Sequence, residues 1–161
     1  MDSLDFVIAC TDLRGRSSEA VIGIHVQDIS EELGVEINPI LEDDIVMTTP
    51  DEIPQGAIVY AHGDTTNGYA GVGRARELAQ ERPDVKIILG MGRRVRPYFE
   101  NPADTEFLNA AYDAGFDASK QVIADTERTP WPFIVGKADY GSINNCLKNY
   151  ARQLMEMRQD G

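Results

Sequence analysis

Cys10 is followed by five residues and then by Arg16 and Ser17, a spacing that suits the handling of phosphate groups. A cysteine thiolate is a strong nucleophile, and loop amides or a helix amino terminus stabilise it. A nearby arginine guanidinium can donate two parallel hydrogen bonds to two oxygens of a phosphate group. These residue types therefore allow, as one alternative, a covalent phosphate-handling site in which Cys10 attacks and Arg16 binds the oxygens.

This segment resembles the phosphate loop of low-molecular-weight tyrosine phosphatases, which has the same order of Cys, five residues, Arg and Ser. The same spacing recurs at Cys146 and Arg152, inside a predicted helix where such a loop does not form. The Asp-Pro general acid of that family has no counterpart, because Asn101-Pro102 stands at the nearest place. Without an acid the leaving group is not protonated, so phosphatase activity is kept only as the alternative function.

Other polar side chains lie just after predicted strands, where they can contribute to a binding site. They are Thr11, Asp12, His62, Asp64, Arg93, Arg94 and Lys137. The ends of parallel strands meet at one edge of a sheet, and ligands bind there. We expect these residues to share that edge, with Arg93 and Arg94 forming an anion subsite. The chain lacks a close pair of metal ligands, so we predict no metal site, and the cofactor is undetermined.

The elements that position these residues are short apolar runs alternating with helical patterns. The predicted strands are 5–10, 35–41, 57–61 and 85–89, followed by either 121–124 or, as we prefer, 133–136. The predicted helices run from Ser17 or Ser18 to Leu33, then over 72–81, 104–114 and 142–158. In the last helix, an apolar face is formed by Ile143, Leu147, Tyr150, Leu154 and Met157. His25 falls in the middle of the first helix.

Strands that alternate with helices indicate a parallel sheet covered by helices on both faces. At 161 residues the chain has the length of one domain. We therefore predict a single α/β domain over residues 1–161, a three-layer α/β/α sandwich with a five-stranded parallel sheet of the flavodoxin-like type.

Several segments are similar to response-regulator receiver domains. They are the run from Arg76 to Leu89, the turn Ala114-Gly115-Phe116-Asp117, and Val135-Gly136-Lys137 at the end of the fifth strand. The resemblance covers most of the chain and implies a signalling domain in which acids bind a metal and accept a phosphoryl group.

The sequence departs from the receiver pattern at the phosphorylation site itself. Cys10-Thr11 stand where the family has a pair of acids, and Ala61-His62 stand where it has the acceptor aspartate. Gly90-Met91 replace the hydroxyl residue expected after the fourth strand. The resemblance therefore implies a pseudo-receiver that regulates by contact, without phosphorylation.

The charge and the cysteine content limit the partners and the compartment. With 27 acidic and 15 basic residues the chain has a formal charge of −12, which argues against binding nucleic acid or anionic membranes. We expect a protein partner or a small anionic ligand, with self-association as a further option. Two distant cysteines and the lack of a secretory signal predict a cytoplasmic protein.

Overall fold

The computed structural model describes residues 2–9, 25–42, 45–63, 68–91, 98–114, 133–136 and 140–160. The strands are β1 Ser3–Ala9, β2 Glu36–Glu42, β3 Ile58–His62, β4 Lys86–Met91 and β5 Phe133–Gly136. The helices are α1 Val26–Leu33, α2 Ala70–Glu81, α3 Pro102–Ala114 and α4 Tyr140–Asp160. Two short 3₁₀ turns, Ile45–Met47 and Pro50–Glu52, lie between β2 and β3.

The sheet has the strand order β2-β1-β3-β4-β5, and every neighbouring pair is parallel. This is the order of flavodoxin-like doubly wound proteins, a class that includes receiver domains. The predicted α/β architecture with a parallel sheet is therefore confirmed, and its strand order is consistent with the predicted flavodoxin-like type. Of the two runs considered for the last strand, 133–136 pairs with β4, whereas 121–124 lies outside the described residues.

Side-chain alternation along the strands divides the core into two parts. Phe6 and Ile8 of β1 belong to one apolar cluster, together with residues of α1 and α4. Val7 and Ala9 point to the opposite face and belong to a second cluster, together with residues of α2 and α3. Successive residues of a strand face opposite sides of a sheet. The sheet is consequently the middle of three layers.

The last helix packs on the sheet as its apolar spacing predicts. Ile143, Leu147 and Leu154 are all buried, and they join the first apolar cluster. Met157 was expected on the same face but is 62% exposed, because it lies in the last turns of α4, beyond the end of the contact. The apolar face therefore ends at Leu154.

Most predicted boundaries differ from the observed ones by one or two residues, and the differences at α1 and β4 concern residues named above. The described helix α1 is Val26–Leu33, and the backbone of His25 is not helical, so His25 lies just before this helix and not in the middle of one. The predicted start at Ser17 or Ser18 lies outside the described residues. The end of α1 is as predicted, since Gly34 has a left-handed backbone with φ of 66°. β4 extends through Gly90 and Met91, because His62 of β3 and Gly136 of β5 pair with them.

At the amino edge of the sheet, Arg82 ties together the connections that lead into β3 and β4. Its guanidinium donates five hydrogen bonds, which uses all of its N–H groups. Two go to the Asp84 carboxylate, and three go to the carbonyl oxygens of Pro50, Ile53 and Pro54.

The Asp84 carboxylate also accepts a hydrogen bond of 2.8 Å from the amide of Gly56. The hydrogen bonds from Arg82, supported by that from Gly56, lower the pKa of Asp84 from 3.8 to about 2. The same pairing raises the pKa of Arg82. The two side chains therefore stay charged at neutral pH and hold this edge together.

Candidate functional site

An open crevice of about 650 Å³ lies at the carboxyl edge of the sheet. Val46 lines it from the segment after β2, Tyr69 from the segment after β3, and Tyr98, Phe99 and Glu100 from the segment after β4. Because each segment follows a parallel strand, the three meet at the edge where α/β proteins bind ligands. We call this site the edge crevice. The other described residues that line it are Gly68, Ala70, Gly73, Arg74, Glu77 and Asp104.

Next to the edge crevice, the first turn of α2 lies very close to the end of β3. A Cβ atom at Gly71 would overlap the carbonyl oxygen of His62 and lie 2.8 Å from that of Gly63. Only glycine lets the first turn of the helix lie so near these carbonyl groups. Gly68, just before the helix, has φ of 85°, which glycine adopts without strain.

The wall formed by α3 begins with a capped helix end. The Asn101 side chain accepts a hydrogen bond of 3.0 Å from the amide of Ala103, and Pro102 is the first helical residue. Asparagine at the cap followed by proline is a favourable helix start. Asn101-Pro102 is the pair nearest to the position of a phosphatase general acid. In this structure the pair forms the amino-terminal cap of α3.

Asp104 in the first turn of α3 joins this wall to α2. Its carboxylate accepts a hydrogen bond of 2.6 Å from Nε of Arg76, and both side chains are mostly buried. Gly73 leaves room for the pair, since a Cβ atom there would lie 3.2 Å from Oδ2 of Asp104. The ion pair links α2 to α3 on one side of the crevice.

Arg74 joins the opposite wall to α2. Its Nη1 donates to the Glu77 carboxylate at 3.0 Å, and its Nη2 donates to the carbonyl oxygen of Thr48 at 2.9 Å. Thr48 directly follows the 3₁₀ turn that carries Val46. The guanidinium therefore fixes the segment after β2 against the helix.

Aromatic rings gather at the mouth of the edge crevice. Tyr69 and Phe99 are half-buried and pack against the second apolar cluster. Tyr98 is 92% exposed, the most exposed large apolar side chain in the described part of the protein. Tyr98 and Val46, which are both exposed, therefore add apolar surface to the two half-buried rings of the crevice.

His62, a predicted site residue, lies on the other face of the sheet. Its Nε2 is 3.1 Å from the hydroxyl of Tyr60, and the two rings meet edge to face. Tyr60 belongs to the cluster under α1 and α4, so His62, two residues further along β3, faces the same way. Gly90 makes this possible, because a Cβ atom there would lie 2.7 Å from the Tyr60 hydroxyl. His62 is therefore not part of the edge crevice.

The other predicted site residues lie outside the described part of the chain. They are Cys10, Thr11, Asp12, Arg16, Asp64, Arg93, Arg94 and Lys137. Of the second Cys-Arg pair, Cys146 is a buried free cysteine, and both it and Arg152 lie within α4, as predicted. Among the residues described, no three His, Cys, Asp or Glu side chains are grouped so as to hold a metal ion.

The residues that line the edge crevice were not predicted as a site. Tyr98 and Phe99 stand between Pro97 and Pro102, in a segment that the sequence analysis treated as a connection. Two adjacent aromatic residues in a connection after a central strand were the available signal. Tyr69 and Asp104 carried no comparable signal, since each lies beside or within a helix.

Comparison with known proteins gives one structural likeness. No family model matches the sequence, and no curated protein matches it. Among solved structures, the chain is similar to the crystal structure of a response regulator receiver domain protein (CheY-like) from Methanospirillum hungatei JF-1. The TM-score is 0.47 and the identity 16%, over 99% of this chain and 100% of that chain. This likeness concerns the overall fold, and no function follows from it.

None of the described helices is long and apolar enough to cross a membrane.

Proposed function

We propose that this chain is a receiver-like interaction module that regulates a protein partner by contact, through the edge crevice. The observation that carries the proposal is Tyr98, which is 92% exposed beside a crevice lined by two further aromatic residues. Aromatic side chains supply much of the binding energy in protein interfaces when they become buried. We place this function in the cytoplasm, where cysteines such as the buried Cys146 stay reduced.

The end of β3 favours contact over phosphoryl transfer. The receiver family that the sequence resembles has its acceptor aspartate at this place, and here β3 ends with Ala61 and His62. Ala61 is buried, and the His62 ring is hydrogen-bonded to Tyr60. Neither side chain offers the carboxylate on which that chemistry depends.

Binding of a small anion at the same edge is the second part of the proposal. Arg74 and Arg76 already donate hydrogen bonds to protein acceptors, so the anion subsite would depend on Arg93 and Arg94. A thermal-shift screen of phosphate and nucleotides at millimolar concentration tests this on the native protein and on the Arg93→Ala, Arg94→Ala double variant. A shift in the native protein alone supports the subsite, and equal or absent shifts remove it.

The competing function is a phosphatase that uses Cys10 and Arg16. Hydrolysis of an aryl phosphate, measured with the native protein and with Cys10→Ser, separates it from a contact module. The contact module predicts no turnover above the buffer rate in either protein. Turnover that disappears in Cys10→Ser would replace our proposal with the phosphatase.

A further inference from the structure

We infer that the edge crevice receives a cationic side chain, an arginine or a lysine, from a basic segment of the partner. This inference rests on the proposed contact function and specifies the chemistry of the partner. It follows from three properties of the described crevice: the charge of its lining, the hydrogen bonds that its arginines already donate to protein acceptors, and its aromatic rings.

Among the described residues that line the edge crevice, acidic side chains outnumber basic ones. Glu77, Glu100 and Asp104 line it with one described arginine, Arg74, and Arg76 lies behind Asp104. The whole chain has a charge of −12, so the long-range field also favours a cation. A second copy of this chain would be repelled by the same field.

The described arginines have little capacity left for an anion. Arg74 donates to Glu77 and to the Thr48 carbonyl, and Arg76 donates to Asp104 and to Gln80. Glu100 differs from these paired residues, because it is exposed and no described cation lies within ion-pair distance of it. A cation entering the crevice therefore meets a carboxylate that no described residue neutralises.

The aromatic rings supply the second half of the site. Tyr98, Tyr69 and Phe99 line the same space as Glu100. A guanidinium or ammonium group within reach of aromatic faces is attracted by them, and the attraction strengthens as water is excluded. Burial of Tyr98 under the aliphatic part of the incoming side chain would also remove its exposed apolar surface from water.

The size of the crevice fits a side chain delivered by a peptide. Its volume of about 650 Å³ exceeds what one guanidinium group needs, and it is open to solvent. Space therefore remains for neighbouring residues of the partner. Carboxylates and aromatic rings in such a space select a basic segment over an acidic one.

The test is a titration of the full chain with short peptides, followed by NMR of its aromatic side chains. The probes are three otherwise identical glycine-rich peptides that carry two arginines, two citrullines or two glutamates. Citrulline keeps the shape of arginine and removes its charge. We expect the arginine peptide to shift the resonances of Tyr98, Tyr69 and Phe99, and to bind about fivefold or more tighter than the citrulline peptide.

Variants locate the site. Tyr98→Ala and Glu100→Gln should each weaken the arginine peptide about fivefold, and added salt should weaken it further. Met157→Ala, which removes an exposed apolar side chain at the other end of the molecule, should leave binding unchanged. Both crevice positions are exposed, so folding is not at risk, and retained thermal stability verifies this.

Equal binding of the arginine and citrulline peptides would overturn the inference. An unchanged affinity of Tyr98→Ala for the arginine peptide would also overturn it. The same holds if the glutamate peptide shifts the same aromatic resonances. Failure of the inference is distinguishable from failure of the proposed function. If the arginine peptide does not bind and the protein has no turnover, the contact module stands with a partner of different chemistry. Aryl phosphate turnover that depends on Cys10 would remove the contact module whatever the peptides do.

Discussion

The first turn of α2 lies against the end of β3 so closely that a Cβ atom at Gly71 would overlap the carbonyl oxygen of His62. Replacing a helical glycine with alanine normally stabilises a helix by up to about 1 kcal/mol. At Gly71 we expect the reverse, a loss of about 1–3 kcal/mol in the free energy of unfolding, because backbone must move to admit the methyl group. Urea denaturation of Gly71→Ala measures this loss.

Gly73→Ala in the same helix is the matched control. Its new Cβ atom would meet the carboxylate of Asp104 at 3.2 Å, and a side chain yields more easily than backbone. We expect Gly73→Ala to change the free energy of unfolding by less than about 1 kcal/mol. Equal losses in the two variants would mean that the close approach at His62 does not exist.

Because of Asp84, the free energy of unfolding should depend on pH in the acid range. Its pKa is about 2 in the folded protein against an ordinary value of 3.8. A group whose pKa is lowered by folding stabilises the protein fully above the ordinary value, and this contribution is lost as the pH falls toward the lowered one. Allowing for the partly exposed side chain, we expect about 1–2 kcal/mol at neutral pH.

Asp84→Asn tests this dependence. The difference in free energy of unfolding between native protein and variant should be largest at pH 7 and shrink between about pH 4 and pH 2. Glu106→Gln is the control, since the Glu106 side chain is exposed and forms no ion pair with a described residue, and we expect it to change the free energy of unfolding little at pH 7. A difference for Asp84→Asn that stays constant with pH would contradict the assignment.

Leu147 anchors α4 on the sheet. It is fully buried in the first apolar cluster, so Leu147→Ala should destabilise the protein by about 2–5 kcal/mol. Leu147→Asp should be worse, because it buries a charge for which the cluster has no partner. Thermal denaturation of both variants checks this, and a melting temperature equal to that of the native protein would place α4 elsewhere.

Asn149 is a buried polar residue in the same helix. Its Nδ2 has no hydrogen-bond partner among the described residues, and the side chain is 3% exposed. Leaving such a group unsatisfied costs about 1–3 kcal/mol. Asn149→Leu has a similar volume and should therefore raise the free energy of unfolding by about 1 kcal/mol in urea denaturation. A loss of stability would show that the amide is satisfied in solution.

The fold was predictable because its signals are local and repeated. Each central strand is a short apolar run, and the spacing of Ile143, Leu147 and Leu154 already indicated the buried face of α4. The errors lie where tertiary contacts override local signals. Gly90 and Met91 were predicted to follow β4, yet they belong to it, because neighbouring strands pair with them and Tyr60 needs the space at Gly90.

The edge crevice could not be predicted in the same way. Its walls come from segments after three different strands, and long-range contacts such as Arg76 to Asp104 bring them together. Nothing in the spacing of these two residues indicates that they meet. His62 shows the converse, since its place at a strand end was predicted, but the face on which it lies depends on the side-chain alternation along β3.

The central claim, regulation by contact without phosphoryl transfer, is tested most directly by intact-mass spectrometry. The full chain is incubated with magnesium and acetyl phosphate, a small phosphoryl donor, beside a receiver domain that retains its acceptor aspartate. Our account predicts an unchanged mass for this protein and a phosphoryl adduct on the receiver. An adduct on this protein that hydroxylamine removes, as it removes acyl phosphates, would contradict the account.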